Sequence, residues 1–291
     1  MFRGSIVALV TPMLDNGNID WQRLSRLVEW HIASGTDAIV AVGTTGESAT
    51  LNPAEHKAVV RHVVKQAANR IPVIAGAGGN ATAEAIELAL AAYEAGCAAT
   101  LQVAPYYNKP PQRGLFAHFK AIAEAVPMPH LLYNVPGRTA SDIQPATVCE
   151  LAAIDNIVGI KEASTMQRME ELRAVCPPDF TLLCGEDGLS AEALCNGTVD
   201  GVISVTANLA PDIMHDMATA GLAGEHNRCH ALNDRLAPLH EAMFYECNPL
   251  PVKWALYRLG KIDAGIRLPL VPLAPDVQTR VEAALRHAQL L

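Results

Sequence analysis

The sequence predicts an α/β protein, a (β/α)8 (TIM) barrel with a C-terminal helical extension, on three observations. Eight short apolar runs, most of them rich in β-branched residues, alternate with amphipathic stretches in units of about 25 to 30 residues. The turn after the first run holds Thr11-Pro12, where a doubly wound sheet would carry Gly-x-Gly-x-x-Gly. From about Pro211 onward the pattern is wholly helical. The barrel is expected over residues 1–223 and the extension over 224–291, with no low-complexity linker between them.

The expected strands are Ser5–Val10, Ala38–Val42, Pro72–Ala75, Thr100–Ala104, His130–Val135, Ile157–Lys161, Thr181–Cys184 and Gly201–Val205. The first helix is read from Trp21, Leu24, Leu27, Val28 and His31, whose spacing puts one apolar face on a 3.6-residue period. Asn52-Pro53-Ala54-Glu55 supplies a cap, a first-turn proline and an acid at the third position, which together start the second helix. Glycines 35, 96 and 221 stand where helix C-caps are expected. The closing helices are expected at 224–246, 250–260 and 275–290.

Composition narrows the function. A net charge of -8 with no Lys/Arg cluster argues against nucleic acid as a partner. No apolar stretch reaches the roughly 18 to 20 residues of a membrane helix, and residues 1–12 read as a first strand, not a signal peptide. The seven cysteines include no Cys-x-x-Cys pair and sit mostly among apolar residues, so buried, reduced thiols of a cytoplasmic protein are expected. His226 and His230 have metal-ligand spacing but lie in a polar helix without a third ligand, and read as surface residues. Gly76-Ala-Gly-Gly-Asn80 has neither the lysine nor the spacing of a phosphate cradle. Small molecules are the expected partners, with no metal and no organic cofactor.

Lys161 is the residue that points to chemistry. It closes a short apolar run, Ile157-Val-Gly-Ile-Lys161, where a lysine is costly to bury unless paired. An ammonium in a low-dielectric site tends to shed its proton, and a neutral amine attacks carbonyl carbon to form a Schiff base. Snorkelling to water or pairing with Glu162 is the alternative reading. Active sites of such barrels lie at the C-terminal ends of the strands. Those ends carry Gly43-Thr44-Thr45-Gly46-Glu47, Pro105-Tyr106-Tyr107-Asn108, Tyr133-Asn134-Val135-Pro136-Gly137-Arg138, Lys161 and Thr206-Ala207-Asn208. The Thr44-Thr45-Gly46 turn offers backbone N–H groups to a carboxylate, or is a plain tight turn. Arg138 offers a planar fork to a second carboxylate, or makes a surface ion pair. A tyrosine beside an amine can relay protons, and can equally just fill space with its hydroxyl satisfied.

Gly43-Thr-Thr-Gly-Glu47, Tyr133-Asn-Val-Pro136 and Gly159-Ile-Lys-Glu162, in this order, resemble the signatures of the dihydrodipicolinate synthase / N-acetylneuraminate lyase family, and the similarity runs nearly end to end. The resemblance implies a class I aldolase-type barrel acting on pyruvate or a related 2-keto acid. Arg138 directly after Tyr133-Asn-Val-Pro-Gly, and the Tyr106-Tyr107 pair, favour aspartate 4-semialdehyde as second substrate over a sugar acid. A sugar-acid lyase and a catalytically silent keto-acid or lysine sensor remain as alternatives. By the same resemblance Lys161 forms the imine, and Tyr133, Thr44 and Tyr107 make a proton relay in which Tyr107 comes from a neighbouring subunit. Thr45, Arg138 and the Ile203 carbonyl contact substrate. This implies a homodimer or homotetramer. Relatives inhibited by lysine bind it at positions matching Ser48, Ala49, His56, Asn80, Glu84 and Tyr106; this chain has Pro53 where inhibited relatives often carry histidine.

Overall fold

A computed structural model of the chain describes residues 2–291. The elements run β1 (Gly4–Ala8), α1 (Trp21–Ala33), β2 (Ala38–Ala41), α2 (Pro53–Ala67), β3 (Val73–Gly76), α3 (Thr82–Ala95), β4 (Ala99–Val103), α4 (Gln112–Ala125), β5 (His130–Asn134), α5 (Pro136–Thr139), α6 (Pro145–Leu151), β6 (Ile157–Glu162), α7 (Met166–Val175), β7 (Thr181–Cys184), α8 (Asp187–Cys195), β8 (Gly201–Ser204), α9 (Pro211–Leu222), α10 (His226–Ala242), α11 (Leu250–Arg258) and α12 (Pro275–His287). The eight strands pair in sequence order, all parallel, and β8 returns to β1 to close the barrel. Asn208 helps to seal that seam: its side chain accepts from the Val10 N–H and donates to the carbonyls of Ala8 and Val205.

Two apolar layers follow from the two-residue period of the strands. Ile6, Ala8, Val40, Ile74, Leu101, Leu131, Leu183 and Ile203 point inward and fill the barrel. Their neighbours Val7, Ile39, Val73, Leu132, Ile160, Leu182 and Val202 point outward and pack beneath the helices. Strands buried on both faces explain why the runs read as continuous hydrophobic stretches. Several expected strands overrun their observed C-terminal ends, at Val10, Val42, Ala104, Val135 and Val205. These side chains stay buried although the backbone has left the ladder, so apolar character alone overstates the strand.

The helix signals hold for the second helix. Asn52 caps α2 by accepting from the Glu55 N–H, and the Glu55 carboxylate accepts from the Asn52 N–H, a reciprocal arrangement in which the cap contributes about 1 kcal/mol. Gly96 closes α3 in the left-handed region, and Gly35 takes the same conformation just past α1. Gly221 does not cap. It lies within α9, where an added Cβ would stand 2.8 Å from the Leu194 Cβ, so it permits close packing of α9 on α8, and Gly224 makes the left-handed turn instead. The expected burial of the cysteines also fails in part. All seven are free, but only Cys184 and Cys229 are buried, and Cys247 is exposed. Apolar neighbours in sequence do not say which face of a helix or loop a thiol takes. His226 and His230 are exposed on α10, as their polar surroundings suggested. No helix among the described residues is long and apolar enough to cross a membrane.

His31 is completely buried on α1, hydrogen-bonded through Nδ1 to Thr36 Oγ1, and burial pushes its pKa down from 6.5 to about 3. The unfolded chain therefore binds a proton that the folded chain refuses between these two values, so this contribution is complete above pH 6.5 and is lost as pH falls toward 3. Thermal unfolding followed from pH 7.5 to pH 4 should show a declining midpoint, and His31→Gln should make the decline shallower. An equally steep decline in that variant would exclude His31 as a source.

Candidate active site

Period-two alternation and one register set the centre of the site. Tyr133 on β5 is the Cα partner of Lys161 on β6, and Asn134 is the partner of Glu162. Tyr133 and Lys161 therefore share the inward face, and Asn134 and Glu162 the outward one. The Lys161 side chain is buried at 6 % exposure, with Nζ 4.5 Å from the centroid of the Tyr133 ring. Pairing of Lys161 with Glu162 is thus ruled out by geometry, because adjacent strand residues face opposite sides. Glu162 instead belongs to a network behind the strand. Asn134 Nδ2 donates to both Glu162 oxygens and to Asp142, while its Oδ1 accepts from the Ile143 N–H. Arg168 closes the network on Asp142 at 2.8 Å. Burial raises the Glu162 pKa against the pull of Asn134. For Asp142, burial pushes upward too, but Arg168 and Asn134 outweigh it and hold the carboxyl below its usual range.

The Tyr133–Lys161 register follows an irregularity in the ladder. His130 pairs with Ile157, but Leu131 pairs with Gly159, so β6 carries one additional residue, Val158. Beyond it the Asn134–Glu162 contact pins the ladder. A slip of one residue would turn Lys161 out of the barrel.

After β2 the chain makes the turn Gly43-Thr44-Thr45-Gly46, bracketed by Val42 and Glu47, both in the left-handed region at φ 57° and 60°. Thr44 and Thr45 line the cavity above Lys161 and Tyr133. Thr45 is buried, and its Oγ1 accepts from Asn248 Nδ2 at 3.0 Å. Ile203 on β8 and Arg138 on α5 line the same cavity. Arg138 makes no ion pair among the described residues; it reaches the Asn248 carbonyl at 3.4 Å and the Cys247 sulfur at 3.8 Å. Its guanidinium thus stays exposed at the mouth.

Among the lining residues that the sequence did not mark are Glu186, Phe244 and Asn248. Glu186 had a signal, since it stands just past the C-terminal end of β7, where barrel sites gather. Burial raises its pKa while Lys161 and Arg138 pull it back, so this carboxyl lies within electrostatic reach of the lysine. Phe244 and Asn248 had none. They belong to the segment between α10 and α11, and only tertiary packing brings that segment over the mouth.

Tyr107 is not in its own chain's cavity. It is 89 % exposed at φ 73°, and its N–H donates to the Thr139 carbonyl. Tyr106 beside it lines a second cavity of about 280 Å³, together with Ser48, Ala49, His56 and Glu84. His56 is fixed there by a 2.7 Å hydrogen bond to the Gly76 carbonyl. Glu84 raises the Tyr106 pKa, after burial, which is the larger cause. Asn80 does not line this cavity and does not cap α3; Ala81 takes the cap position, and the Asn80 carbonyl accepts from Asn108. Thr44, Val135 and Arg138 line both cavities, so the two adjoin.

A buried lysine at the end of the sixth strand of a parallel barrel, facing a phenol and a turn rich in backbone N–H groups, defines the class of Schiff-base aldolase-type barrels. Comparison with known proteins makes the assignment narrower. Residues 1–288 match the Dihydrodipicolinate synthetase family, and the chain belongs to it. A 4-hydroxy-tetrahydrodipicolinate synthase from Dichelobacter nodosus is 58 % identical over 287 residues, covering 98 % of this chain and 97 % of the relative. One from Alcanivorax borkumensis is 55 % identical over 292 residues, covering 100 % and 99 %. Among solved structures, the chloride-inhibited dihydrodipicolinate synthase of Acinetobacter baumannii in complex with pyruvate superposes with a TM-score of 0.98 at 49 % identity, covering all of both chains. The lysine-bound enzyme of Cyanidioschyzon merolae gives 0.96 at 39 % identity, covering 100 % of this chain and 99 % of its own.

Gly185, between β7 and Glu186, makes room for the lysine. A Cβ built there would stand 2.9 Å from Lys161 Cε and 2.7 Å from the Ala163 Cβ. Gly185→Ala should displace the amine and lower turnover by about a hundredfold, and should also lower the unfolding midpoint, because the Ala163 Cβ cannot swing away. Steady-state kinetics beside a thermal melt tests this, and unchanged kcat would show that the lysine tolerates the displacement.

Proposed function

We infer that the protein condenses pyruvate with L-aspartate 4-semialdehyde to give 4-hydroxy-tetrahydrodipicolinate, the first committed step of lysine and diaminopimelate synthesis. The observation that carries this reading is Lys161 Nζ, buried over the Tyr133 ring in the cavity at the mouth of the barrel. The full-length likeness to named synthases supports the choice of substrates.

The Lys161 amine adds to the ketone carbon of pyruvate. Protons pass onto the departing oxygen, water leaves, and an imine remains. The imine draws electrons from the methyl group, which loses a proton and becomes an enamine carbon. That carbon attacks the aldehyde, and the second substrate's own amine closes the ring on the imine carbon, releasing Lys161. Tyr133, whose ring centroid lies 4.5 Å from the Lys161 amine, is assigned the movement of these protons. The Thr44-Thr45-Gly46 turn holds the pyruvate carboxylate through its N–H groups, and Ile203, which lines the cavity, contacts the substrate through its carbonyl. Arg138, exposed at the mouth, takes the carboxylate of the second substrate as a planar fork.

Tyr107 completes the relay from a neighbouring subunit, which makes the working unit a homodimer or a homotetramer. Its exposure and left-handed backbone support that role, since neither is explained within one chain. The second cavity takes lysine as a feedback effector, with the Glu84 carboxylate pairing an ammonium and Tyr106 reaching the carboxylate. The lysine-bound relative supports this reading. Residues 224–291 act as a helical extension of the barrel of residues 1–223, and the reaction assigns the protein to the cytoplasm.

Borohydride reduction with pyruvate should add one pyruvate-derived group at Lys161, found by peptide mass mapping. An adduct elsewhere, or none, would refute the Schiff-base mechanism. Arg138→Ala should retain this adduct while kcat/KM for aspartate semialdehyde falls by about a hundredfold, the loss of a charge-assisted bidentate contact. Full activity in that variant would remove Arg138 from the second-substrate site.

A further inference from the structure

The turn proposed to hold the pyruvate carboxylate is a strained one. Val42 and Glu47, at its two ends, both lie in the left-handed region, where a β-branched valine is a true outlier. Such conformations persist when the surroundings over-determine them, and they gather at functional sites. The constraint here comes from far along the chain. Lys253 Nζ, on α11, donates to Glu47 Oε1, and both residues are buried. Asn248, five residues before Lys253, donates to Thr45 Oγ1 at 3.0 Å, and its carbonyl accepts from Arg138. On the other side Thr11 Oγ1 donates to the Gly46 carbonyl at 2.7 Å.

A buried ion pair contributes little net stability over an apolar pair of the same volume, and its best-attested use is to fix one arrangement among several. Burial pushes the Lys253 pKa down and Glu47 draws it back up, so a large desolvation cost is being met at this one contact. Neither residue lines the cavity. We propose that Glu47 and Lys253 are positioning residues, an ion pair by which the C-terminal helices hold the Gly43–Gly46 turn in the strained form that binds the keto-acid carboxylate.

The proposal rests on the pyruvate reading above, and the test separates the two. Pyruvate is titrated against the yield of borohydride-trapped adduct at Lys161, in the wild type, in Glu47→Gln and in Glu47→Gln/Lys253→Met. Glu47→Gln keeps the shape and an acceptor, and the double variant removes both charges together, so that no lone charge is left buried. The half-saturating pyruvate concentration should rise about tenfold in both variants, with the yield at saturation retained and with aspartate semialdehyde KM changed far less. Wild-type half-saturation in a folded variant overturns the positioning role. So does loss of the fold in both variants, because the pair would then hold the barrel and not aim the turn. No adduct in the wild type would instead sink the pyruvate reading itself.

Discussion

The site depends on the register between the fifth and sixth strands. With Tyr133 opposite Lys161, the phenol and the amine meet inside the barrel, and by the same alternation Asn134 meets Glu162 outside it. One face holds the two groups proposed to react and the other holds the hydrogen bonds that fix their placement. Asn134 uses its whole amide, accepting from Ile143 and donating to Glu162 and Asp142, so its orientation is determined from both ends. The extra residue at Val158 makes that fixing necessary, because a parallel ladder with a bulge has no geometric reason to resume in one register.

Charge is partitioned across the strand in the same way. Glu162 and Asp142 are satisfied behind the wall by Asn134 and Arg168 and do not neutralise Lys161. Inside, Glu186 is the acid whose titration feels both Lys161 and Arg138, and burial holds its pKa up. Among the described residues no carboxylate is bound to the lysine, and the Arg138 guanidinium and the Asn248 amide line its cavity, a setting that suits the proposed substrate carboxylates.

The segments that carry and join the helices after the barrel also shape its mouth. The Asn248 amide reaches Thr45 while its carbonyl reaches Arg138, joining the two groups assigned to the two substrates. Arg267 ties the same region down, donating to the Gly17 and Thr50 carbonyls and pairing with Glu55 at 2.7 Å. The adjoining second cavity shares Thr44 and Arg138 with the first, so a ligand held there touches the same short segments. Tyr106 and Tyr107 show how finely the loop after β4 divides its work: one ring lines that cavity, and the other points into solvent.

The sequence by itself determined the barrel, because strands buried on both faces and helices buried on one write two different periods into the chain. It marked Lys161, because a cation ending an apolar run is a local anomaly, and it marked Thr44, Thr45, Tyr133 and Arg138, because barrel sites collect at strand ends. It left Glu162 as a possible partner of Lys161, and alternation across the strand removed that option. Gly221 looked like a cap for the same reason that Gly96 was one; only the contact with Leu194 shows its different use. What tertiary structure alone decided is the company of those residues: Asn248 on Thr45, Lys253 on Glu47, Arg168 on Asp142. The first two join parts of the chain about two hundred residues apart, and nothing in local propensity or period carries information over that distance. Burial and hydrogen bonding, settled only when the whole barrel closes, do.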